Sequence, residues 1–379
     1  MDAPKAERPT ELLVIGTAHV GHEFLPRYSW KHLEQLLDEL GPDALCLELR
    51  AEEAEAGQFT GAPEMHMVGI PWANRTGHPW YPVDWHPDGK PSEYHAARRA
   101  MESTPEGRLR VAHLDDLDRR LVPCSNWGKN AHVTFREFNS PEQVQIAREC
   151  HQLETAIMGE GPGTMWWNTR NGEICHRIDG AIEKHRGQRI GMLTGYEHKY
   201  WIDDYFAEKT AVAVTQVNDL PIATEFVPDQ SFDARVMRLF MYMDGPWSEQ
   251  SMEPDGVLPE LDDLARENPG FPPLDYLRGR YYLIVGECDR AVSSYGKSTT
   301  DLGFQWNLGG LRAVPLFPMA VSGMGQALDA KGERQAATEC YRKVVESLPI
   351  GHFWAQIAEM RMKRPYRKPD TWPQLRHTP

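Results

Sequence analysis

LLVIGTAHVGHEFLPRYSWKHLEQLLDELGPDALCLELR, residues 12–50, carries the fold decision in this chain. Leu12–Ile15 is a short apolar run of the kind that forms a fully buried strand. Ser29 is placed to cap a helix, and Leu33, Leu36, Leu37 and Leu40 follow the i, i+3, i+4, i+7 spacing of one helical face. Gly41-Pro42 ends that helix, and Ala44–Leu49 is a second buried strand. Two strands joined by one helix form a right-handed parallel crossover, the unit of an open α/β layer. Ligands of such sheets bind beyond the carboxyl ends of the strands.

Working outward, the α/β pattern returns late in the chain. A helix is expected from about 168 to 185, with Ile174, Ile178, Ala181 and Ile182 on one stripe. Arg189–Thr194 then reads as a strand that runs into Gly195-Tyr196-Glu197-His198. This repeats the Gly16-Thr17-Ala18-His19 turn after the first strand. One Gly-x-x-His is weak evidence, but two copies that both end buried strands are much stronger. Glu48 ends the second strand and Asp84 a short strand at Trp80–Val83, so four chemistry-bearing features are expected at one sheet edge. Residues 57–160, first rich in Pro, Trp and His and then helical, read as an inserted lobe or lid. The expected organisation is an α/β domain over 1–250, with a mainly parallel sheet flanked by helices, and an all-α region over 251–379. In that region Gly279, Gly286, Ala291 and Tyr295 return as Gly325, Gly332, Ala337 and Tyr341 at a constant offset. The internal spacing is that of tetratricopeptide repeats, but the offset exceeds their ~34-residue period, which implies an insertion near Ser298–Pro315.

Composition narrows the function. The 379 residues carry a formal charge of −14, and no dense basic cluster offers a face for nucleic-acid phosphates. No apolar stretch approaches the ~20 residues of a membrane span. The N-terminus lacks a signal-peptide core, so a cytoplasmic protein is expected. Six scattered cysteines without a C-x-x-C pair read as reduced thiols.

Two neutral imidazoles with one or two carboxylates are a nitrogen/oxygen donor set for Mn²⁺, Co²⁺, Zn²⁺ or Fe²⁺. A metal held by His19, His198 and Glu48 would activate a water toward an amide, peptide or ester carbonyl. Arg170, expected near a helix start, would stabilise the developing charge, Asn171 would support it as a neutral donor, and Asp84 is a further catalytic candidate at the sheet edge. Tyr196, Trp85 and Trp167 are candidates for substrate contact, and His22 for a further ligand. His66, His78, His86 and Glu197, with Trp72, Trp80 and Trp166, have either pocket or packing readings.

LLVIGTAHVGHE…LGPDALCLELR and WWNTRNGEICHRI…RIGMLTGYEHKYW resemble the two conserved blocks of the TraB/Tiki group, whose relatives include the haem-binding ChaN-like proteins and the erythromycin esterases. The resemblance spans about residues 11–50 and 165–206. It implies that His19 and His198 are the family's paired histidines, Glu48 its acidic residue and Arg170-Asn171 its Arg-Asn pair. It further implies a metal-dependent peptidase-like hydrolase, with a metal-free histidine-based esterase and a haem or small-ligand binder as alternatives; iron-dependent non-hydrolytic chemistry is also open. The expected partner is a small-molecule or peptide substrate, with a protein partner or a second copy at the C-terminal helices.

Overall fold

The computed structural model describes residues 8–23, 25–56, 62–85, 91–120, 132–158, 162–244, 254–299, 304–306, 314–349 and 352–367. The chain divides into two compact units, 1–229 and 230–379.

Unit one is built on a parallel five-stranded sheet: β1 (Thr10–Thr17), β2 (Ala44–Arg50), β3 (Trp80–Asp84), β4 (Arg189–Gly195) and β5 (Val212–Thr215), in the order β3-β2-β4-β1-β5. The expected crossover helix is α1 (Trp30–Leu40), which buries Leu33, Leu36, Leu37 and Leu40. It ends where Gly41 turns to φ +53° and returns its amide to the Leu37 carbonyl. A short α2 (Ala51–Ala56) follows β2, and α3 (Ile70–Thr76) precedes β3. The second lobe comprises α4 (Pro91–Glu102), α5 (Pro105–Arg120), α6 (Phe135–Phe138) and α7 (Pro141–Met158). The helix α8 (Pro162–Lys184) leads into β4, and α9 (Lys199–Ala207) leaves it.

Strands buried on both faces explain the near-continuous apolar runs. On one face Leu12, Val14, Cys46 and Met192 pack against Ile174, Ile178, Ile202 and Phe206 of α8 and α9. On the other, Leu47 and Leu193 meet Gly69, where an added Cβ would press on both. Gly69 closes a π-helical turn, Met65–Gly69.

Three boundaries differ from expectation. The segment 57–160 is not wholly an insertion, because β3 pairs with β2 and so belongs to the main sheet. Helix α8 starts at Pro162, a residue suited to a first turn, so Arg170 sits in the body of the helix rather than at its start. The unit boundary precedes the expected 250 because α10 (Phe232–Asp244) sends Val236, Met237, Leu239 and Met243 into the core of unit two.

That unit continues with α11 (Pro254–Glu267), α12 (Pro272–Val285) and α13 (Cys288–Ser298). A two-stranded ladder, β6 (Gln305–Trp306) with β7 (Val314–Pro315), precedes α14 (Leu316–Ala330), α15 (Arg334–Ser347) and α16 (Phe353–Lys363). The repeated residues pack alike: the Tyr295 ring lies on Gly279, and the Tyr341 ring on Gly325. Among the described residues no helix is long and apolar enough to cross a membrane. Cys46, Cys150, Cys175, Cys288 and Cys340 are free thiols, and Cys124 lies outside the described residues.

Candidate functional site

Strand pairing brings the two Gly-x-x-His turns together. In the β1/β4 register Gly16 faces Thr194 and Thr17 faces Gly195, so both turns leave adjacent strands at one edge. β2 runs beside β4, and Arg50 pairs with Asp84 at the end of β3. The four expected features therefore share one sheet edge.

Glu48 is the hub. Its Oε1 accepts from Arg170 Nη2 at 2.8 Å; its Oε2 accepts from Thr194 Oγ1 at 2.8 Å and the Gly195 amide at 2.6 Å. Arg170 also donates through Nε to Asp84 at 2.8 Å, and Arg177 donates to the Asp84 carbonyl at 3.0 Å. Glu48, Asp84 and Arg170 are all buried. Burial alone would raise the Glu48 pKa, but His198, His19 and Arg170 outweigh it and hold the carboxyl well below its ordinary range. Of the three, Arg170 is the one that never titrates. It is engaged by two carboxylates at once, Glu48 and Asp84.

His198 is buried, with its Nδ1 2.7 Å from Asn171 Oδ1. Asn171 Nδ2 donates to the Trp167 carbonyl at 2.9 Å, so its oxygen faces the ring and His198 Nδ1 carries the proton. Nε2 then faces Glu48 Oε1 at 3.4 Å. Burial lowers the His198 pKa below 6.5 against the opposing pull of Glu48, leaving a neutral imidazole. Its ring stacks on Trp167 at 4.3 Å, and Trp167 stacks in turn on His151 at 4.2 Å.

His19 has the opposite character. Its Nδ1 lies 2.8 Å from Glu64 Oε1, and its side chain stays 41% exposed while Glu64 is fully buried. Partial burial of the ring disfavours charge, but Glu64, through charge and hydrogen bond, with Glu48 and Glu197, raises the pKa to about 10. Glu64 in turn is lowered: burial would raise it, and His19, His22 and the Thr17 hydroxyl prevail. Among the described residues His19 is the one non-glycine at positive φ, +48°. Such strain costs on the order of 1–3 kcal/mol and persists where the surroundings over-determine it. The surroundings here are Glu64 on one side and Gly195 on the other. A Cβ on Gly195 would overlap His19 Nε2 and Cε1. Gly195→Ala is therefore expected to swing the half-exposed His19 ring out of place. The expected loss in turnover is about 10²-fold, with a melting temperature nearly unchanged; assay and thermal melt on one preparation check both.

The turn itself is clamped. Asn139 Oδ1 accepts from the Gly16 amide at 2.7 Å, Asn139 Nδ2 donates to the Gly16 carbonyl at 3.2 Å, and the Tyr28 hydroxyl donates there at 2.9 Å. His22 is structural. It accepts from the Ala18 amide through Nε2 at 3.1 Å and donates through Nδ1 to the Tyr28 carbonyl at 2.5 Å. Burial pushes its pKa down to about 4.

The other expected residues divide. Tyr196 is buried edge-on against Phe138 at 5.5 Å, so it packs the interior instead of meeting substrate. Trp167 orients His198 through the stack. Trp85 is half-buried beside Asp84, and Glu197 lies 3.6 Å from His151. Trp72 is core, bonded to Asp38 at 2.8 Å and stacked on His78 at 5.6 Å. Trp80 is half-buried on β3, and His66 sits on the π-helical turn. His86 and the Trp166 side chain lie outside the described residues. Glu64 was not anticipated, although the reasoning that singles out Glu48, a carboxylate set among apolar residues, applies to it equally.

A metal held by His19, His198 and Glu48 requires free lone pairs aimed at a common point. Glu48 Oε2 already accepts from Thr194 and Gly195, and Oε1 bears the Arg170 guanidinium, which supplies beside this carboxylate the positive charge a metal would bring. Among the described residues no group of three or more His, Cys, Asp and Glu side chains is arranged to hold a metal ion. The trio does not fit the expected metal. What the arrangement offers is two histidines at a shared sheet edge, one bonded to a buried carboxylate and the other to an amide oxygen. Neither a family model, nor a curated protein, nor a solved structure matches the chain.

Proposed function

We propose that this chain is a hydrolase of amide, peptide or ester bonds that works by histidine acid–base catalysis, along the esterase-like branch of the TraB/Tiki resemblance. One arrangement carries the reading: His19 and His198 leave adjacent strand ends, the first bonded through Nδ1 to the buried Glu64 carboxylate and the second to the neutral Asn171 amide. These surroundings push the two pKa values in opposite directions. Titratable pairs pushed apart in this way mark the acid and the base of a site. In this mechanism His198 Nε2 accepts a proton from a water as its oxygen attacks the carbonyl carbon. The His19 imidazolium donates a hydrogen bond to the developing oxyanion and then a proton to the leaving group. Glu64 orients and charges His19, Asn171 sets the His198 tautomer, and Arg170 with Asp84 holds Glu48. The second unit is read as a tetratricopeptide-like array, supported by the matching Tyr295–Gly279 and Tyr341–Gly325 seats, and offers a place for a partner or a second copy.

The test is a panel of p-nitrophenyl esters and p-nitroanilides, with elemental analysis and an absorption spectrum of the same sample. Turnover that survives chelators and is lost in His19→Gln supports the reading. No turnover across the panel, a stoichiometric metal whose removal abolishes activity, or a haem Soret band overturns it.

A further inference from the structure

A second concavity lies outside the histidine site, where α7, α8 and α9 enclose a cleft of about 530 Å³. That volume falls within the ~300–1,000 Å³ of small-molecule sites. Its walls include Arg148, His151, Asn168, Tyr200, Trp201 and Asp204. Among the described lining residues there is no Leu, Ile, Val, Met or Ala; the apolar surface comes from aromatic rings and side-chain stems. Such a wall gives an alkyl chain little to pack against. Side-chain amides, carboxylates and a guanidinium alternate with flat rings, which suits a ligand with hydroxyls around its rim and C–H bonds on its faces. Charge excludes an anion: Arg148 is already paired with Asp204 at 2.7 Å, and Glu208 adds a further negative charge. The Arg148 guanidinium covers Tyr200, 5.7 Å from the ring centre, and Lys209 covers the third lining aromatic, Tyr205, at 4.2 Å, which leaves Trp201 as the platform.

We propose that the cleft between α7, α8 and α9 is a binding site for a neutral pyranose-type sugar unit, stacked on Trp201 and hydrogen-bonded through its hydroxyls to Asn168, Asp204 and Glu208. His151 connects the cleft to the histidine site, since it lines the one and stacks on Trp167, which stacks on His198. The proposal does not rest on the hydrolase reading, because binding is measured without turnover.

The experiment is saturation-transfer NMR of the full chain with the methyl pyranosides of glucose, galactose, mannose and xylose. Cyclohexanol, a ring of similar size with one hydroxyl, and indole, a flat aromatic, serve as comparison probes. At least one glycoside is expected to bind with Kd near the millimolar range (roughly −4 kcal/mol). Trp201→Ala is expected to weaken it at least tenfold. Asn168→Ala, at an exposed position that leaves folding intact, is expected to weaken it about fivefold. Two results overturn the proposal: no glycoside binding below 10-fold that Kd (about 10 mM), or cyclohexanol or indole binding with the same dependence on both residues.

Discussion

Replacing Arg170 with methionine is expected to destabilise unit one by about 3–5 kcal/mol, the cost of stranding buried charge when one partner of an ion pair is removed. Glu48 and Asp84 both lose the Arg170 guanidinium at once, and both are buried. Urea titration of the wild type and the variant measures the loss. Arg170→Lys keeps the charge but cannot serve two carboxylates through separate nitrogens of a planar fork, so an intermediate loss is expected. The penalty depends on pH with a definite sign. Glu48 has a folded pKa below the ordinary 4.5, so its contribution is present above that value. It is lost as pH falls through the folded value. The difference between wild type and Arg170→Met should therefore shrink in acid, as the stranded carboxylates protonate. A variant as stable as the wild type at neutral pH would show that the Glu48–Arg170–Asp84 triad is not the buried network described.

His198→Gln is expected to lower turnover about 10²–10⁴-fold, the range for loss of a positioned acid or base. The effect should appear in kcat with little change in KM, because His198 is buried while His19 is half exposed. Asn171→Ala should reproduce part of that loss by releasing the His198 tautomer, without touching substrate. Steady-state kinetics on the best substrate of the panel separates the two parameters. Equal losses in KM alone would move His198 from base to binding group.

The frame of the site is legible in the sequence because it lies on buried strands. Leu12–Ile15, Ala44–Leu49 and Arg189–Thr194 are apolar runs without competing patterns, and each delivers its last polar residue to the same edge. The supports were harder to read because they come from irregular backbone. Glu64 enters from the residue before a π-helical turn, where hydrophobic periodicity gives no signal. Asn139 follows a helix of a single turn and reaches 123 residues back to Gly16. An aromatic inside a motif reads equally well as pocket or core, and here Tyr196 is buried, with Gly16 close to its Cα. Residue types alone do not reveal that Arg170, 122 residues from Glu48, sits against that carboxylate and supplies its positive charge.

The most direct measurement of the central claim is the pH–rate profile of the wild type beside that of Glu64→Gln. The base His198 must be neutral, so the rate falls as pH drops through its lowered pKa, below 6.5. The acid His19 must be protonated, so the rate falls as pH rises through its raised pKa, about 10. The account predicts a bell with a broad plateau through neutrality, whose alkaline limb alone moves toward neutral pH in Glu64→Gln. An alkaline limb that does not move in that variant, or a wild-type rate that is still climbing through pH 7 to 10, would contradict it.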